Sequence, residues 1–137
     1  MAVTPAEEAA FQADWAVSML TPEDLTAERD RRLRLGATIT VAGYGATVEA
    51  QLRPETDDQS NLMGQLLKAQ SLIAASDLVT LIKWRDGANV EHQLTAPQMV
   101  DFAFKAGEWK TLVYERYWAV KALNPIPADY ADDVRWP

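Results

Sequence analysis

Between Ala37 and Leu52 the stretch ATITVAGYGATVEAQL alternates apolar and polar residues with a period of two, broken only at Gly43-Tyr44-Gly45. Successive side chains of a strand point to opposite faces. Ile39 and Val41 therefore share one face and Thr38 and Thr40 the other. After the turn, Val48, Ala50 and Leu52 stand against Thr47, Glu49 and Gln51. Alternation around a glycine-bounded turn predicts a β-hairpin, which Arg53-Pro54 ends.

A second hairpin follows from Leu78–Trp84 and Val90–Leu94, which flank RDGAN, because Asp86-Gly87 is a strong turn dipeptide. The remaining segments read as helices. Thr4-Pro5 with Glu7 and Glu8 opens a first one, with Ala9, Ala13, Val17 and Leu20 on one side and Phe11 and Trp15 on a second ridge. Thr21-Pro22-Glu23-Asp24 repeats the start signal for a second, LTAERDRRLRL, ending near Gly36. Its apolar positions are sparse, so most of it is expected to be solvated or covered by a partner.

ETDDQSNLMGQLLKAQSLIAA carries Leu62, Met63, Leu66, Leu67, Ile73 and Ala74 at helical spacing, with Asp57 or Asp58 as cap. Gly64 inside it costs about 1 kcal/mol relative to alanine, which points to close packing against another backbone. Thr95 and Pro97 open a helix that pauses at Gly107, and EWKTLVYERYWAVKAL supplies the last one. Asn124-Pro125-Ile126-Pro127 cannot continue it, so the acidic end is expected to run extended. The order predicts an α+β fold: one small antiparallel sheet of two hairpins (37–53 and 78–94) packed with helices. It divides the chain into an N-terminal helical docking segment, 1–35, an α+β domain, 36–123, and a C-terminal tail, 124–137.

At 137 residues with a net charge of -7, the chain fits one domain with a small appendage. That charge speaks against nucleic acid, whose binding needs surplus Lys and Arg, and against an anionic membrane surface. The first twenty residues lack a basic leader and an unbroken apolar core, so neither a signal peptide nor a membrane span is expected. No cysteine is present, which removes disulfides, thiolate metal sites and a cysteine nucleophile.

Reactive candidates are few. His92 is the single histidine and shares a strand face with Val90 and Leu94. It builds no metal site alone, and a catalytic role needs a nucleophile and an orienting acid converging on it. The pairs Glu7-Glu8, Glu23-Asp24 and Asp57-Asp58 sit where first-turn acids cap helices. PETDDQSN offers oxygens without the sharp glycine turn of a calcium loop. Gly43-Tyr44-Gly45 is too short for a nucleotide fingerprint, and Ser18, Ser60, Ser71 and Ser76 have no nucleophile context. No catalytic residue, cofactor or metal is expected.

Five tryptophans exceed what a small core needs, and Trp is enriched at interfaces. Phe11, Trp15, Tyr130 and Trp136 are the expected anchors, and Arg31 and Arg32 on the second helix suit an acidic partner. Trp84, Trp109 and Trp118 are assigned to the core.

LRPETDDQSNLMGQLLKAQ, IKWRDGANVEHQLTAPQM and VYERYWAVKAL resemble a domain of uncharacterised function found in tail-fibre and related tail proteins of bacteriophages and prophages. The positions that carry the resemblance are Gln59, Asn61 and Leu62, then Trp84, Asn89, Leu94 and Thr95, then Trp118 and Lys121, within residues 28–123. The resemblance implies a virion structural protein, made in the host bacterial cytoplasm and assembled into a tail, tail fibre or baseplate. It also implies a homo-oligomer, a trimer or higher ring, among other phage structural proteins. The domain commonly follows a long repetitive fibre, whereas two predicted helices precede it here. A fibre-assembly chaperone, a connector or capsid decoration protein, and a small glycan hydrolase remain open beside the first reading.

Overall fold

The computed structural model describes residues 4–6 and 20–137. The expected first helix, with Phe11 and Trp15, lies outside the described residues. The remaining elements run α1 (Pro22–Leu35), β1 (Ala37–Thr40), β2 (Thr47–Ala50), α2 (Asp58–Ala74), β3 (Ile82–Arg85), β4 (Glu91–Leu94), α3 (Ala96–Lys121) and a single 3-10 turn, Asp133–Arg135. The α+β class holds. The described chain forms two compact units, residues 30–111 and residues 20–29 with 112–137.

Both hairpins form, with Ala37 paired to Ala50 and Thr40 to Thr47 in the first, and Ile82 paired to Leu94 and Arg85 to Glu91 in the second. They are two separate two-stranded sheets rather than the single sheet expected. The reason lies on the outer edge of β2. Gly87 N–H donates to the Glu49 carbonyl at 3.1 Å, and Glu49 N–H donates to Asp86 Oδ2 at 3.3 Å. A turn of the second hairpin thus occupies the edge positions that a third strand would need.

The period-two pattern is realised as buried Ile39, Val41, Val48, Ala50 and Leu52 against exposed Thr38, Thr40 and Thr47. Burial of each larger aliphatic side chain contributes about 1.5–3 kcal/mol. They pack with Leu62, Ile82, Leu94, Met99 and Phe102 into the core of the 30–111 unit. In the other unit Leu25, Val113, Tyr117, Val120 and Trp136 are buried.

Helix α1 ends as expected. Gly36 takes φ +76° and its N–H bonds to the Arg32 carbonyl at 3.1 Å. Its Leu25 and Leu33 are fully buried and Glu28 nearly so, so the helix is less solvated than its sparse apolar pattern predicts. At the start of α2, Asp57 makes no side-chain cap bond; the Thr56 hydroxyl accepts from Asp58 N–H at 3.2 Å, and Asp58 pairs with Arg53 instead.

Gly107 does not interrupt the C-terminal helices: α3 is one helix of 26 residues. Ala103, Ala106, Val113, Tyr117 and Val120 recur at helical spacing on both sides of the glycine and are buried. That continuous stripe outweighs a penalty of about 1 kcal/mol for one glycine. Its start is a capping box, in which Thr95 N–H donates to Gln98 Oε1 at 2.9 Å and Gln98 N–H to Thr95 Oγ1 at 3.4 Å.

The C-terminal tail is not extended. Tyr130 N–H bonds to the Pro127 carbonyl, Asp132 Oδ1 accepts from Val134 N–H, and Trp136 turns inward. Trp118, assigned to the core, is 58% exposed, while Trp84 and Trp109 are half-buried against the core of the 30–111 unit.

Candidate functional site: a buried Asp–His–Tyr chain and the surfaces around it

The only histidine is the centre of a hydrogen-bonded chain. In the second hairpin Asp86 N–H bonds to the Val90 carbonyl and Asn89 takes φ +61°, so Asn89 and not Gly87 supplies the left-handed turn residue. This four-residue turn points the Asp86 carboxylate back into its own loop. Oδ1 accepts from Ala88 N–H and Val90 N–H, both at 2.9 Å. Oδ2 meets His92 Nε2 at 2.8 Å.

His92 sits opposite Trp84 in the register and is buried beside Leu94, whereas Val90, expected on the same face, lies before β4 and is exposed. Its second ring nitrogen, Nδ1, lies 2.8 Å from the Tyr44 hydroxyl in the turn of the first hairpin, and the two rings meet edge to face. With Asp86 ionised, Nε2 carries the proton and donates, and bare Nδ1 accepts from Tyr44 O–H.

Burial pushes the Asp86 carboxyl up, but bonds from Val90 N–H, the His92 ring, Glu49 N–H and Ala88 N–H outweigh it and hold it below the usual carboxylate range. The side chains of His92 and Asp86 are 7% and 3% exposed. A general base needs a free lone pair facing its substrate. Here both imidazole nitrogens and both carboxylate oxygens are taken by the protein's own groups. What the arrangement does is tie the two hairpins together.

Helix α3 fixes the same turn from the other side. Asp101 Oδ2 accepts from Ala42 N–H at 2.8 Å, Gln98 Nε2 donates to the Gly43 carbonyl at 2.9 Å, and Lys105 Nζ donates to the Thr40 carbonyl at 2.8 Å. The Ala42 N–H and then Lys105 hold the Asp101 carboxyl low. The sequence reading saw Tyr44 only as a turn residue and Asp86 only as half of a turn dipeptide. The one local signal for the pair was an aspartate opening a hairpin turn with a histidine six residues on.

A family model described as a domain of unknown function, DUF4376, matches residues 18–134. The chain belongs to the DUF4376 family. No curated protein and no solved structure matches it. All residues of the Asp86–His92–Tyr44 chain lie within the DUF4376 match, as do the apolar surfaces described next. Among the described residues no cluster of three or more His, Cys, Asp or Glu is placed to hold a metal, and no helix is long and apolar enough to cross a membrane.

Of the described interface candidates, Arg31 is exposed and Arg32 half-buried on α1. Trp136 is buried within its own chain, with Nε1 donating to the Tyr130 carbonyl at 2.8 Å, so the structure brings Tyr130 and Trp136 together. Sequence reasoning counted Met63 and Leu67 among the apolar helix positions and assigned Trp118 to the core, but did not name as contact residues the apolar side chains that do stand exposed. In the 30–111 unit these include Met63 and Leu67 on α2, Leu78 and Val79 in the loop after it, and Phe104 on α3; in the other unit they include Leu112 and Trp118. Around Trp118, the Tyr114 ring meets it edge to face with centres 5.9 Å apart, and Arg29 lies over the Tyr114 and Tyr117 rings. A cleft of about 400 Å³ in that unit has Ala119, Val120, Leu123 and Val134 on its walls with Arg116 and the Asp129–Arg135 pair.

Proposed function

We propose that this DUF4376 chain is a non-enzymatic structural protein of a bacteriophage or prophage-derived particle, a tail, tail-fibre or baseplate component that acts through protein–protein contacts. Its partners are other particle proteins and copies of itself. The observation that carries the reading is the surface: Phe104 is 63% exposed, Leu67 60% and Trp118 58%, on helices whose other faces are already buried. Large exposed apolar side chains in numbers mark contact surfaces. The residue types best suited to chemistry, His92, Asp86 and Tyr44, are meanwhile bonded to one another. The resemblance of residues 28–123 to phage tail-protein domains supplies the setting.

The test is to follow a tagged chain through gradient purification of particles from a producing host. Migration with intact particles supports the proposal. A chain that is required for infectivity yet absent from the finished particle is an assembly chaperone instead.

A further inference from the structure

Asp86-Gly87 is the one place in the chain where an aspartate or asparagine is followed by glycine, among 11 aspartates and three asparagines. That dipeptide carries a chemistry of its own. The main-chain nitrogen of the glycine can attack the aspartate Cγ, because the glycine has no side chain to block the approach. A C–N bond forms, the amide proton and the carboxyl O–H leave as water, and a five-membered succinimide results. Water then reopens the ring at either carbonyl. One opening returns aspartate, and the other gives isoaspartate, in which the main chain runs through the old side chain.

Both reacting atoms are gripped by one residue of the first hairpin. Gly87 N–H donates to the Glu49 carbonyl at 3.1 Å, and Asp86 Oδ2 accepts from Glu49 N–H at 3.3 Å. Ring closure takes the proton from the first bond and swings Cγ away from the second, so it breaks both. Asp86 Oδ1 is held by Ala88 N–H and Val90 N–H, and Oδ2 also by His92 Nε2, whose ring is fixed in turn by the Tyr44 hydroxyl. Gln51 lies over the glycine: a Cβ built at Gly87 would stand 2.8 Å from Gln51 Cγ and Cδ. The end of that side chain is anchored, with Nε2 donating to the Arg34 carbonyl at 3.2 Å. Burial pushes the Asp86 carboxyl up, but its hydrogen bonds outweigh this and hold it low, whereas loss of water starts from the protonated acid.

We infer that Asp86-Gly87 is a covalent modification site, a succinimide-forming turn that the contact between the two hairpins keeps shut. Local opening of that contact, rather than unfolding of the chain, sets the rate. Isoaspartate puts an extra methylene into the main chain of the turn and leaves a carboxylate one carbon shorter. The four bonds to Asp86 then do not re-form, and each event uncouples the hairpins in that molecule. The inference is independent of what the chain assembles with.

Native chains incubated for weeks, then digested and read by electron-transfer fragmentation, give the isoaspartate fraction at residue 86. Wild type accumulates it at least about tenfold more slowly than the same chain in urea, the factor that a local opening cost of about 1.4 kcal/mol imposes. Tyr44→Phe releases one end of the His92 ring and Gln51→Ala uncovers the glycine, and each raises the native rate at least about threefold. Leu62→Ala empties a buried position on α2, away from the turn, and leaves the rate unchanged. In wild type the modified fraction shows faster amide exchange at Glu49 and Val90 than the unmodified one. Equal rates in native and urea-unfolded wild type overturn the protection, and no isoaspartate at residue 86 even in urea overturns the site. A rise with Leu62→Ala as large as with Tyr44→Phe assigns the reaction to global unfolding and overturns the local gate. Unchanged rates in both Tyr44→Phe and Gln51→Ala overturn it as well.

Discussion

Replacing Asp86 by alanine removes the acceptor of four hydrogen bonds at once: those from Ala88 N–H, Val90 N–H, Glu49 N–H and the His92 ring. The first two donors belong to exposed residues and find water. Glu49 N–H, on the edge of β2, and the buried His92 Nε2 do not, and each buried donor left unpaired costs about 1–3 kcal/mol. The expected loss is therefore about 2–6 kcal/mol at neutral pH, read from urea unfolding followed by tryptophan fluorescence, with Trp84 facing His92 as the local reporter. The pH dependence gives a second reading. The Asp86 carboxyl is held low in the folded chain. Its contribution is present above the unfolded value near 4 and is lost as pH falls through the folded value. The gap in stability between wild type and Asp86→Asn should narrow toward pH 3, even though Asp58, Asp77 and Asp101, also held low, keep some acid sensitivity in both proteins. A loss below about 0.5 kcal/mol for Asp86→Ala, the size of an ordinary surface substitution, refutes the reasoning. So does a gap that stays constant with pH.

Tyr44→Phe leaves His92 Nδ1 without its donor and should lower stability by about 1 kcal/mol, measured by the same unfolding curves. Gly36→Ala places a methyl group 2.1 Å from the Ala50 carbonyl oxygen at φ +76°, and should cost more than about 2 kcal/mol of stability, seen as a lowered midpoint of thermal unfolding. Trp136→Ala opens a cavity in the unit of residues 20–29 and 112–137. It should destabilise by about 3 kcal/mol, with amide exchange speeding up at Tyr117 and Val120 more than at Val48.

Much of the fold was legible because its signals are local. Alternation at Ile39, Val41, Val48 and Ala50 marked the first hairpin, and Thr95 with Pro97 marked the start of α3. Gly107 misled, because a single glycine reads as a stop while the buried stripe that carries the helix across it runs over several turns. The two sheets were not legible as separate, since that depends on Gly87 and Asp86 meeting Glu49 from 38 and 37 residues away. Tyr44 and His92, 48 residues apart, are a tertiary contact that no periodicity encodes. Helical spacing named Leu62, Met63, Leu66 and Leu67 as apolar positions but not which of them the chain would cover. The same limit hid Trp118, which the pattern assigned inward and the structure leaves exposed. Trp136 was taken for an anchor because the tail reads as extended, and the turn through Asp132 that folds it inward rests on a side-chain bond to Val134 N–H.

The measurement that bears most directly on the proposed role is the copy number of this chain per purified particle, by mass spectrometry against isotope-labelled peptides. A structural component gives the same fixed stoichiometry in every preparation and keeps it through a further gradient. Trace amounts that vary between preparations, or that wash away, contradict the account.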